Sequence, residues 1–140
     1  ITDIFDYHDY EQDPEKLRET YAEFAEKEVD PPCWRTDDNK YIQGQPYFVS
    51  EFGGTWWNID EVSGNSWGYG KTPEDIEEVY KRFEGLTGVL LDHPKMFGYC
   101  YTQLTDVFQE KSGIFSFTRV PKFDLERLRK AQQRIAAIEK

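Results

Sequence analysis

The feature that most constrains this chain of 140 residues is a threefold alternation of short apolar segments with helices that carry one apolar stripe. The apolar segments lie at 1–7, 46–52 and 96–101, and the helical stripes at 14–28, 75–92 and 124–138. Strands that alternate with helices form parallel sheets through right-handed crossovers. The sequence therefore predicts an α/β fold of three consecutive β/α units with parallel strands.

Signals at the helix ends support this division. Asp13 can accept hydrogen bonds from the first turn of a helix in which Pro14 takes the first position. The second helix follows a predicted capping box that runs from Thr72 to Asp75, and it ends at His93, which we interpret as a capping or surface residue. The third helix is expected to turn these residues inward: Leu125, Leu128, Ala131, Ile135 and Ile138.

An acid stands in the most apolar of the three segments. Residues 47–49 are aromatic or β-branched, the glycines at 53–54 can end the strand, and Glu51 lies between them. Burying a carboxylate there costs several kcal/mol unless it is paired or faces a pocket. Ligands of open α/β sheets and (β/α) barrels bind at the carboxyl ends of the strands. Glu51 is therefore a candidate catalytic acid, base or nucleophile.

The first apolar segment also gives way to a polar cluster, which contains His8 and Asp9 between Tyr7 and Tyr10. These residues either contact a substrate or form a solvated turn between strand and helix. Because parallel strands end at the same edge of a sheet, the cluster is expected to lie near Glu51. Tyr7, His8 and Tyr10 are candidate substrate-binding residues.

A long loop rich in Gly, Ser and Asn follows Glu51 and carries Trp56, Trp57 and Trp67. Loops of this length are uncommon in compact domains unless they have a function. The indole rings suggest a pocket wall on which the apolar face of a sugar stacks, and for each ring the alternative is ordinary packing. Trp34, in an earlier irregular stretch, is either part of a lid or a packing residue.

The net charge of −10 argues against nucleic-acid and anionic-membrane partners, which would be repelled. The sequence has no Gly-rich phosphate loop, Cys-x-x-Cys pair or His-Glu-x-x-His motif, so we expect no nucleotide, metal or other cofactor. Cys100 lies in an apolar run and is interpreted as a packed thiol without a disulfide partner. A neutral, hydroxyl-rich or small substrate fits these properties better.

Carboxylate chemistry remains, and glycoside hydrolysis is its best match. Two carboxyl groups flank the glycosidic bond, about 5–5.5 Å apart when one of them is a nucleophile and the configuration is retained. Glu51 could be one of the two. A hydroxyl group of Tyr7 or Tyr10 would hold its orientation and keep it ionised.

Three stretches together resemble the C-terminal part of the catalytic (β/α)8 barrel of glycoside hydrolase family 2. They are Ser-Glu-Phe-Gly-Gly at 50–54, Gly-Tyr-Cys-Tyr-Thr-Gln-Leu-Thr-Asp-Val at 98–107 and Pro-Lys-Phe-Asp at 121–124. The resemblance implies that residues 1–140 are a single partial domain, the last three β/α units of a TIM barrel. It further implies that Glu51 is the nucleophile and that Tyr101 lies near the sugar.

The chain departs from the family pattern in one respect that bears on activity. The family's acid/base is the Glu of an Asn-Glu pair on an earlier strand, and the sequence contains no such pair. The resemblance thus implies part of a retaining exo-β-glycosidase that is inactive alone. The Asn-x-Lys motif of glucuronidases is missing before Gly113, which disfavours a glucuronidase. A β-galactosidase or a related exo-acting β-glycosidase is expected, mainly on family frequency.

Two other classes of protein are compatible with parts of the sequence. A non-catalytic carbohydrate-binding module would use the Trp residues as a stacking platform and predicts an all-β sandwich. A small α/β domain for protein contacts would hold Glu51 in an ordinary salt bridge. In a three-stranded fragment, free strand edges and apolar faces also predict self-association.

Overall fold

The computed structural model describes residues 3–33, 40–59 and 65–140. The three strands form one sheet in the order β1-β2-β3, and both neighbouring pairs are parallel. The predicted α/β fold with three β/α units is confirmed. The prediction for Trp34 falls outside the described residues. The elements are β1 (Phe5–Asp9), α1 (Pro14–Glu26), β2 (Tyr47–Gly53), α2 (Ile76–Asp92), β3 (Met96–Thr102), α3 (Leu125–Gln132) and a 3-10 turn (Ala137–Glu139).

Each α-helix begins at an aspartate that accepts a hydrogen bond from the first turn. Asp13 accepts from the backbone N–H of Glu15 at 3.0 Å, and Asp124 accepts from Glu126 in the same way. Asp75 accepts from Glu78 at 2.8 Å, so it is itself the cap. The prediction of a capping box that starts at Thr72 was therefore wrong, because the helix begins only after Asp75.

The main core lies between one face of the sheet and the helices α1 and α2. Leu17 and Leu86 are completely buried there, and burying such a side chain stabilises the fold by about 1.5–3 kcal/mol. A second cluster joins α2 to α3 and contains Phe83 and Leu128. All three strands and the helices α1 and α2 contribute to the main cluster: Phe5, Leu17, Tyr21, Phe24, Tyr47, Val49, Phe52, Leu86, Val89, Leu90 and Met96.

A buried ion pair fixes the loop that follows β3. The Lys122 ammonium donates to Asp106 Oδ1 at 2.8 Å, and both side chains are almost fully excluded from solvent. The backbone N–H of Gly113 donates to the same oxygen at 2.9 Å. The contact joins two of the stretches that carry the sequence resemblance.

The C-terminal part of the chain differs from its prediction. The helix α3 ends at Gln132, and of its apolar residues only Leu128 is buried. Ile135 is 65% exposed, because the chain turns back toward α2, where Arg134 bonds to Asp92 at 2.5 Å and to the carbonyl of Gly88.

One smaller interpretation needs correction, and for another the structure selects one of two alternatives. Cys100 is an exposed free thiol and not a packed one, because it lies on the sheet face opposite the helices. His93 caps α2 as predicted but is buried rather than on the surface, with its ring stacked on Phe24 at 5.2 Å. Burial lowers its pKa.

The second face of the sheet is open. Phe97 on this face is 53% exposed and contacts the ring of Phe48. No helix among residues 3–33, 40–59 and 65–140 is both long and apolar enough to cross a bilayer. Within the same ranges, no cluster of His, Cys, Asp and Glu could hold a metal ion.

Candidate active site

A β-bulge in β2 determines where Glu51 points. Tyr7 lies opposite Val49 in the neighbouring strand, but the next residue, His8, lies opposite Glu51. The pairing with β3 shows the same shift between Val49 and Phe52. With this extra residue, Val49 and Phe52 both reach the core, while Glu51 joins the open face. Glu51 thus lies within β2, two residues before its end.

The carboxylate of Glu51 has two polar neighbours, one in β1 and one directly after it. The hydroxyl of Tyr10 donates to Oε2, and Nδ1 of His8 lies 3.4 Å from the same oxygen. The Glu51 side chain is 41% exposed. Among the described residues no Lys or Arg forms an ion pair with it, so the ordinary salt bridge expected of a protein-contact domain is not found there.

Tyr10 is suited to remain a hydrogen-bond donor. Burial, followed by the hydrogen bond with Glu51, raises the pKa of its phenol. Thr102, at the end of β3, pairs with Gly53 at the end of β2.

A row of aromatic rings leads from Tyr10 toward solvent. The ring of Tyr10 stacks on Tyr69 with centroids 3.5 Å apart and planes 7° from parallel. Trp67 contacts Tyr69 edge-on at 5.8 Å and is 49% exposed. The exposed indole provides the kind of apolar surface on which a sugar ring can stack.

The other two tryptophans of the loop lie in different surroundings. Trp57 packs against the second core cluster, and its backbone N–H donates to the carbonyl of Lys111 at 2.9 Å. Trp56 is half-buried, and its Nε1 donates to Ser66 at 3.1 Å. Their contacts to a sugar stay predictions.

Two predicted tyrosines face the helices. Tyr7 packs on the main core, and burial raises its pKa. Tyr101 packs edge-on against Phe52 at 5.5 Å and contacts Phe83 of α2 at 5.1 Å. Neither ring shares the open face with Glu51, because side chains alternate between the two faces of a strand.

An open cleft of about 950 Å³ adjoins the site and is lined in part by His8, Tyr10 and Gln12. Glu51 does not line this cleft, but it contacts His8 and Tyr10, which do. The roles of Gln12, Thr55 and Tyr69 were not predicted. Nothing in their local sequence distinguishes them, since their contacts depend on how the loops fold back on the strand ends.

Fold and site together define an α/β sheet with a half-exposed carboxylate near the carboxyl end of a strand, which is the ligand-binding edge of such folds. The chain is similar in structure to part of the Faecalibacterium prausnitzii β-glucuronidase, a glycoside hydrolase, with a TM-score of 0.60 and 17% sequence identity. The match covers 94% of this chain and 22% of that chain, and it shows a shared fold. Comparisons with family models and with curated proteins find no match.

Proposed function

We propose that Glu51 is the nucleophile of a retaining exo-β-glycosidase and that this chain carries part of its catalytic barrel. The observation that carries the proposal is the half-exposed Glu51 carboxylate, which the bulge turns out of the core and onto the Tyr10 hydroxyl. The structural similarity to a β-glucuronidase supports a glycosidase fold. The resemblance of residues 50–54, 98–107 and 121–124 to glycoside hydrolase family 2 points the same way.

The contacts of Glu51 suggest that one carboxylate oxygen is held by neighbouring residues and that the other is the attacking atom. Tyr10 and His8 both approach Oε2, which leaves Oε1 to attack the anomeric carbon. The bond from Oε1 to the anomeric carbon forms as the bond to the leaving oxygen breaks, and the electron pair goes to that oxygen. Water then hydrolyses the glycosyl ester and restores the carboxylate.

The leaving oxygen of an ordinary glycoside also needs a proton. Asp9, the carboxylate after His8, faces the helices and accepts a hydrogen bond from Tyr21 at 3.0 Å. It is therefore poorly placed to serve as the acid. With no Asn-Glu pair in the sequence, we propose that the chain supplies the nucleophile without the acid/base and is inactive alone.

We propose a neutral sugar, with β-galactosides as the first candidates. An anionic sugar would meet a net charge of −10. The aromatic row that ends at the half-exposed Trp67 offers an apolar surface for such a sugar. The choice of galactose rests on family frequency.

The test uses a substrate whose leaving group needs no proton. We expect 2,4-dinitrophenyl 2-deoxy-2-fluoro-β-galactoside to form a stable ester on Glu51, detected by mass spectrometry of the peptide that contains it. The matched variant Glu51→Gln should form none. A modification elsewhere, or none in the wild type, would contradict the assignment of the nucleophile.

A second measurement tests the missing acid. Simple alkyl β-galactosides should not be turned over by this chain, because an alkoxide cannot leave unprotonated. Turnover that Glu51→Gln abolishes would show that an acid is present after all.

A further inference from the structure

Two residues hold Tyr10 without touching Glu51 in any described contact. We propose that Gln12 and Tyr69 are positioning residues, which fix the backbone and the ring of Tyr10 so that its hydroxyl stays on Glu51. This inference rests on the proposed function of Glu51.

Gln12 ties the ends of β1 and β2 together. Its Nε2 donates to the carbonyl of Tyr10 at 3.1 Å and to the carbonyl of Gly53. Its Oε1 accepts from the hydroxyl of Thr55 at 2.7 Å, and Thr55 is 2% exposed. The amide thus links three backbone or side-chain groups across the two strand ends, and one of them is the backbone of Tyr10 itself.

Tyr69 holds the other end of Tyr10. Its ring covers the Tyr10 ring at a centroid distance of 3.5 Å, and its backbone N–H donates to the carbonyl of Gly54 at 2.8 Å. Gly54 has a φ of +66°, and a Cβ there would lie 2.5 Å from Tyr69 and 3.2 Å from Tyr10. The glycine therefore leaves the space that lets the loop bring Tyr69 against Tyr10.

Fixing both ends of Tyr10 leaves its hydroxyl little freedom. A tyrosine held only at its backbone could swing into the open cleft, and one held only at its ring could shift along the strand. The burial and the hydrogen bond that raise the pKa of Tyr10 both depend on this placement. Loss of either support should release the hydroxyl from Glu51.

The variants are chosen to remove one support each. Gln12→Met keeps the length of the side chain and loses its hydrogen bonds, and Tyr69→Leu removes the stacked ring. Tyr69→Phe is the matched control because it keeps the ring. Far-UV circular dichroism establishes that each variant is folded.

The first readout is the titration of Tyr10, followed by NMR of ring-labelled tyrosine and assigned with Tyr10→Phe. In the wild type the pKa of Tyr10 should lie above its usual value of about 10, whereas Gln12→Met and Tyr69→Leu should bring it back toward that value. Tyr69→Phe should resemble the wild type more closely than Tyr69→Leu does. If Gln12 and Tyr69 only stabilised the fold, the variants would have lower melting temperatures but an unchanged pKa of Tyr10.

The second readout is the rate at which the fluorinated galactoside labels Glu51. We expect Gln12→Met and Tyr69→Leu to slow labelling about 10- to 100-fold, as misplacement of a reacting group does. If Tyr10 titrates as expected but no protein is labelled, the positioning role holds and the glycosidase function fails. A folded Gln12→Met that keeps the wild-type titration and labelling rate would overturn the inference, even if Tyr69→Leu failed to fold.

Discussion

Removing both partners of the buried Asp106–Lys122 pair should destabilise the protein by less than the sum of the two single removals. Lys122→Met leaves the Asp106 carboxylate, 1% exposed, with the ammonium of Lys111 3.8 Å away and the backbone N–H of Gly113. Asp106→Asn instead leaves the ammonium of Lys122 buried without its carboxylate. Either change leaves a charge in a site with almost no solvent.

The burial of both side chains sets the expected loss of stability in the single variants. Breaking a buried ion pair on one side costs about 3–5 kcal/mol, since the remaining charge has lost its solvation and its partner. A typical domain has about 5–15 kcal/mol of stability in total, so each single variant should be close to unfolding at body temperature. The double variant Asp106→Asn, Lys122→Met keeps an acceptor for Gly113 and leaves neither of the two charges. We expect it to cost about 1–3 kcal/mol less than the sum of the single variants.

Urea unfolding followed by tryptophan fluorescence measures these differences, with an unchanged m-value as the sign that the same two states are compared. Single variants that cost less than about 1 kcal/mol would refute the reasoning. So would a double variant whose cost equals the sum, because the two groups would then not be coupled.

Three other regions give predictions of their own. The pKa of His93 is lowered by burial, so the unfolded chain binds a proton below about pH 6.5 that the folded chain resists, and stability should fall as the pH drops through that value. In urea titrations at several pH values, His93→Phe should show a smaller loss. Gly54→Ala, at a φ of +66°, should cost about 1–3 kcal/mol in thermal unfolding and slow the labelling of Glu51, because its methyl group would displace Tyr69. The exposed Phe97 should promote self-association, and light scattering should find smaller species for Phe97→Lys; a monomeric wild type would contradict this.

The sequence was sufficient for the order of the strands and helices because each depends on local pattern. Asp13 with Pro14 marked the start of α1, and the apolar stripe of α2 predicted its burial. Ile135 shows where this reasoning stops. Its spacing fits a helix, but the helix ends at Gln132 and Arg134 contacts Asp92 and the carbonyl of Gly88 instead, contacts that no local pattern encodes.

The candidate site was predictable in part for a similar reason. Glu51 could be singled out because a carboxylate is costly in an apolar strand. Tyr10 followed from its place after a neighbouring strand. Gln12 and Tyr69 could not be found, since each depends on a loop folding back over the strand ends.

Because of the bulge, the number of residues between Val49 and Phe52 determines the direction in which Glu51 points. Two consecutive side chains, Ser50 and Glu51, point away from the helices, so a variant that lacks Ser50 would regain strict alternation with Glu51 still outward and Phe52 still inward. One residue added between Glu51 and Phe52 would instead send that ring into water. Shortening the strand at Ser50 should thus be tolerated, whereas lengthening it next to Phe52 should not.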